Sequence, residues 1–145
     1  MICFARFPEI QQRVDQAADF LLAHWEIRRP ISPCHYGIGS RFMQLEYPMR
    51  GYGLFYYVYV LSFYARARSD TRFREALDAL GAKAVNGEMV VERVVPKLSA
   101  LHFCQKGRPS AGATARWHEI LQNLEKDGPG SAKNGPEALV KQAGM

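Results

Sequence analysis

Cys34 and His35 stand side by side, and His102 and Cys104 form a second couple far along the chain. Two thiols and two imidazoles are a donor set for tetrahedral zinc if the segments that carry them meet. Neither couple has the CxxC or HxxxH spacing that lets one short element aim both ligands at one ion. Buried structural thiols and hydrogen-bonded histidines are the competing reading. A cysteine nucleophile is the second chemistry to weigh, drawing Cys34 or Cys104 together with His35, His102 or His118 as base. No neighbouring stretch marks an oxyanion hole for it.

Arginines and aromatics are more plentiful. Arg28, Arg29, Arg41, Arg50 and Arg93 flank the irregular segments and could grip a diphosphate or carboxylate by bidentate contacts. They could equally hold those segments in place by pairing with Glu26, Glu46, Glu88 and Glu92. Glu92-Arg93 falls within the β-branched run EMVVERVV, the least expected place for charge, and is nominated as a buried or functional pair. Tyr36, Tyr47, Tyr52, Phe55, Tyr56, Tyr57, Tyr59, Phe63 and Tyr64 could line a cavity and steady a developing cation. They could also be a packed core whose hydroxyls find loop partners. The candidate ligand-binding set is therefore Arg28, Arg29, His35, Tyr36, Arg41, Tyr52, Tyr56, Tyr57, Glu92 and Arg93. The candidate metal set is Cys34, His35, His102 and Cys104, with zinc as the implied ion.

Four helices are expected to position these residues. The first spans 8–27, with Ile10, Val14, Ala17, Leu21 and Trp25 as its apolar stripe and Pro8 in its first turn. A long segment from Arg28 to Gly53 follows, punctuated by Pro and Gly. Its apolar content (Ile31, Tyr36, Ile38, Phe42, Leu45) predicts that it packs down on the domain, with one helical turn at 40–45. The second helix, 54–68, is apolar on every side and therefore central. Ser69 or Asp70 caps the third, 71–85, with Phe73, Ala76, Leu77, Leu80 and Ala84 facing inward. Asn86-Gly87 permits a small hairpin, for which no strong partner strand is evident. Ser110 caps the fourth helix, 113–124. Gly128 to Met145 reads as a flexible tail, so the domain division is 1–127 and 128–145.

Composition bounds the function. With 145 residues, 48% hydrophobic and 23% charged, the chain suits one globular domain. The net charge of +5 is scattered, without the basic block of a nucleic-acid arm. The run at 54–64 is too short to cross a membrane, which takes roughly 20 residues. Three cysteines, Cys3, Cys34 and Cys104, are an odd number, and MICFARF lacks the apolar core of a signal peptide. Reduced thiols and a cytoplasmic location are expected.

The loop and helix RRPISPCHYGIGSRFMQLEYPMRGYGLFYYVYVLSFYARAR, with DTRFREALDAL, NGEMVVERVVPKL and FCQKGRPSAGATARWHEIL, resemble the C-terminal part of prenyltransferase/squalene-cyclase-like α/α-toroid proteins of microbes. The resemblance covers 7–124. It implies an all-α partial ring of helical hairpins whose inner helices line an apolar cavity for an isoprenoid or other lipid-like ligand. It carries no catalytic residue across. The DxDD protonating motif, the Gln–Trp repeats of cyclases and the Asp/Cys/His zinc set of protein prenyltransferases are not found. Four helices fall short of a full ring, which implies a homo-oligomer or a piece of a longer chain. The rival readings are a helical protein–protein interaction module and, third, a zinc-dependent enzyme.

Overall fold

The computed structural model describes residues 7–127. Cys3 and the expected tail at 128–145 lie outside the described residues.

Helix α1 (Pro8–Ile27) opens on a proline and ends at Arg28, which sits in the left-handed region (φ 64°) with its amide on the His24 carbonyl at 2.8 Å. All its buried residues, Ala18, Leu22, His24 and Trp25, lie in the C-terminal half. The expected stripe is thus met only in part: Ile10 is 43% exposed, and Ala17 also faces outward. The reason is length. The half of α1 from Ala18 onward is where the buried contacts with the rest of the domain are made.

The segment from Arg28 to Gly53 packs down as expected, burying Ile38, Phe42 and Leu45. The helical turn expected at 40–45 is present as a single turn set slightly earlier, with Met43 N donating to Gly39 O, four residues back, at 3.1 Å.

The second expected helix is corrected. It breaks into α2 (Leu54–Leu61) and α3 (Ala65–Arg68). At the break the buried Ser62 donates its hydroxyl to Tyr59 O at 2.6 Å. Arg68 Nη1 donates to the Ser62 carbonyl at 2.9 Å, satisfying an acceptor that the helix no longer uses. α2 is central, as its composition demands: Leu54, Phe55, Tyr57, Val58 and Leu61 are buried, and it packs on α4 and α5.

Asp70 caps α4 (Thr71–Gly81), accepting from Arg72 N. This helix is shorter than expected, because Ala84–Val85 (β1) leaves it to pair antiparallel with Glu88–Met89 (β2). Asn86 (φ 52°) and Gly87 (φ 80°) supply the two positive φ angles of a type I′ turn, so the hairpin does find its partner strand. Beyond it, the amides of Glu92 and Arg93 both donate to Leu45 O, tying the second irregular segment to the first. Ser110 caps α5 (Ala111–Glu125), its Oγ accepting from Ala113 N at 3.3 Å. Among the described residues the fold is thus five α-helices, two single 3-10 turns (Pro96–Leu98 and His102–Cys104) and one two-stranded hairpin. No helix among them is long and apolar enough to cross a membrane.

Candidate ligand-binding recess

Where the turn at 39–44 folds against the glycines at 51 and 53, the first loop leaves a recess of about 390 Å³. Tyr36, Gly37, Arg41, Phe42, Gln44, Glu46, Arg50, Gly51, Tyr52 and Gly53 line it. Three members of the candidate set, Tyr36, Arg41 and Tyr52, therefore meet, together with Arg50. Local sequence explains why. Phe42 and Leu45 are buried and pin the turn to the core, which forces Arg41 and Gln44 outward.

The recess is electropositive. Arg41 and Arg50 make no ion pair among the described residues. The acid on the wall, Glu46, is already matched: Arg93 Nε donates to its Oε2 at 2.9 Å and Gly51 N to its Oε1 at 3.2 Å. Tyr52 forms one wall, its ring 5.1 Å from Phe42. Burial pushes its phenol far above the ordinary range, with Cys34 adding to the shift, so the hydroxyl stays protonated. That hydroxyl lies 2.7 Å from Nδ1 of His24, a fully buried residue that sequence reasoning did not nominate. The sole signal was a histidine placed one residue before Trp25 on a helix face that buries.

The other candidates stand elsewhere. Arg28 lies over the Trp25 ring at 4.6 Å, and the Arg29 side chain is in solvent. Tyr57 is buried behind Tyr52 and donates to Leu21 O at 2.8 Å. Tyr56 is 45% exposed and borders a crevice that shares Glu46, Gly51 and Gly53 with the recess. Glu92 and Arg93 act separately. Glu92 pairs with Lys83 at 2.7 Å and accepts from Leu45 N, while Arg93 pairs with Glu46. Both are clips between the two irregular segments, the loop-holding role weighed for them.

Cys34 donates toward Tyr36 O at 3.6 Å in a half-buried turn, whereas Cys104 is buried beside the Leu98 carbonyl at 3.8 Å. His35 and His102 are exposed. Among the described residues no group of three or more His, Cys, Asp or Glu side chains is placed to hold a metal ion, so the four candidate zinc ligands do not gather into a site. Neither thiol is hydrogen-bonded to a histidine among the described residues.

Two larger concavities, each of about 660 Å³, flank α4. The one between the ends of α1 and α4 has spent most of its charge internally. Arg72 pairs with Asp70 at 2.9 Å, and Trp25 Nε1 donates to Glu75 at 3.0 Å. The other is lined by Arg68 and Asp127, which pair with each other. Of these three concavities among the described residues, the loop recess combines two unmatched cations with aromatic walls.

No protein-family model, no curated protein and no solved structure matches the chain.

Proposed function

We propose that this chain is a helical-hairpin domain of the α/α-toroid type that binds the anionic end of a small amphiphilic molecule in the loop recess. An isoprenoid diphosphate is the ligand class in keeping with its aromatic walls. One observation carries the reading: Arg41 and Arg50, without ion-pair partners among the described residues, share about 390 Å³ with Tyr36, Phe42 and Tyr52. Ligand sites usually occupy some 300–1,000 Å³ and combine apolar walls with a few convergent polar groups. Two guanidinium forks suit a diphosphate, and the exposed Tyr36 ring offers an apolar face where a tail would leave the recess. No reaction is assigned.

Calorimetric titration tests this with inorganic diphosphate and geranyl diphosphate as probes. Arg41→Gln and Arg50→Gln each weaken both by about tenfold or more, the scale of one charge-assisted hydrogen bond. Tyr36→Ala weakens the geranyl compound alone. Failure of both probes to bind, or binding indifferent to both arginines, sinks the reading.

A further inference from the structure

Behind the recess lies a second layer of polar chemistry. His24 Nε2 is 3.1 Å from the Arg29 carbonyl oxygen, which can only accept, so Nε2 carries a proton. In the neutral ring Nδ1 is then a lone pair, and the Tyr52 hydroxyl 2.7 Å away donates to it. The two rings stack at 5.5 Å with an interplanar angle of 18°. Tyr52 has therefore spent its one proton inward and offers only lone pairs in any other direction.

A proton added to Nδ1 reverses the polarity. His24 becomes the donor, Tyr52 Oη the acceptor, and the phenolic O–H is released for another acceptor. Resting on the reading of the recess as an anion site, we propose that anion binding there is coupled to proton uptake from solvent, the proton being held on His24 and expressed through the Tyr52 hydroxyl.

The groups around the pair support this. From α2, Tyr57 meets the Tyr52 ring edge-on at 6.4 Å. From the first loop, Cys34 acts on Tyr52 and Arg29 presents its carbonyl. From α1 itself, Phe20 stacks on His24 at 6.4 Å. From α4, Asp70 and Arg72 act on Tyr57, and they pair with each other. No carboxylate among the described residues lies within ion-pair distance of His24. An imidazolium at that position has no acidic side chain among the described residues to neutralise it, and coupling between its proton and a bound anion is reciprocal.

The test is calorimetric titration of the full chain with methanedisulfonate, whose own charge is constant across the range used. Buffers of unlike ionisation enthalpy report the protons taken up. Affinity rises about tenfold between about pH 8 and about pH 5.5, with up to about half a proton taken up per anion bound across the rise. His24→Gln can still donate to the Arg29 carbonyl and accept from Tyr52, but it does not titrate. It flattens the profile, as does Tyr52→Phe. Arg41→Gln weakens binding at every pH and keeps the slope. Intact binding with a flat wild-type profile overturns the proton relay and leaves the recess reading standing. No binding at any pH overturns both. If circular dichroism shows His24→Gln unfolded, Tyr52→Phe decides alone.

Discussion

Tyr52 and Tyr57 belong to one aromatic cluster, yet their hydroxyls have different consequences. The Tyr57 hydroxyl donates to Leu21 O, a carbonyl inside α1, and burial raises its phenol as it does that of Tyr52. Tyr57→Phe removes that bond and leaves the recess wall untouched. It should lower stability by about 1 kcal/mol in urea unfolding while anion affinity stays unchanged. A loss of affinity would mean that the recess depends on the whole cluster and not on Tyr52. Among the described glycines, Gly112 shows the tightest close approach. A Cβ there would overlap the Tyr47 hydroxyl and stand 2.9 Å from its Cζ, so Gly112→Ala must displace the ring from the α5 N-terminus. The residue types at the recess were legible, because a turn-rich stretch with Arg and Tyr between apolar anchors must face some of them outward. Which ones converge was not legible. Arg28 turns onto Trp25 and Tyr56 to the outer side of α2 for reasons of backbone geometry. His24 was hidden because a single histidine on an apolar helix face reads as packing.

Among the elements, the break between α2 and α3 best shows what periodicity cannot carry. Nothing at 62–64 is Gly or Pro, and the apolar pattern runs through it, so one helix over 54–68 was the natural expectation. The polar partner at the break comes from far along the chain. Asn123 of α5, buried, donates Nδ2 to Ser62 Oγ at 3.0 Å, and Ser62 in turn donates to Tyr59 O. The network is satisfied throughout: no buried side-chain polar atom among the described residues lacks a partner. Asn123→Leu removes the donor to a buried hydroxyl and should cost about 1–3 kcal/mol by urea denaturation. Ser62→Ala combined with it should recover part of that loss, since removing both partners leaves no orphan. If the double variant is no better than the single, the cost lies in packing and not in the polar network. The helix starts, by contrast, were readable. Asp70 and Ser110 cap as their types predict, because a cap is a local hydrogen bond between a side chain and an amide two or three residues on.

At the scale of the whole molecule, ion pairs join what the apolar core leaves apart. Asp19–Arg66 links α1 to α3, Asp127–Arg68 links the residue just past α5 to α3, and Glu92–Lys83 links the second irregular segment to the end of α4. Arg66 and Arg68 hold the carboxyls of Asp19 and Asp127 below the ordinary value of 3.8. Burial opposes the charge on Glu92, but Lys83 and the Leu45 amide outweigh it, and its carboxyl also lies below the ordinary 4.5. A carboxyl depressed in the folded state binds fewer protons there than in the unfolded chain. Its contribution is therefore present above the unfolded value and is lost as pH falls through the folded one. The two aspartates are about half exposed, so each pair contributes little alone, and salt screens it. Both pairs converge on a single-turn helix, however, and add to the anchors α3 has in the buried Ala67 and in Arg68 Nη1 on the Ser62 carbonyl. Replacing both aspartates, D19N with D127N, should lower stability by a margin that is constant above about pH 5 and vanishes as the wild-type carboxyls protonate below about pH 3.8. Urea unfolding of both proteins across that range, at low and at high salt, measures the margin directly. Amide hydrogen exchange at 65–68 in the double variant would place the loss at α3. A margin that persists at low pH would mean that the aspartates hold α3 by shape and hydrogen bonding and not by charge.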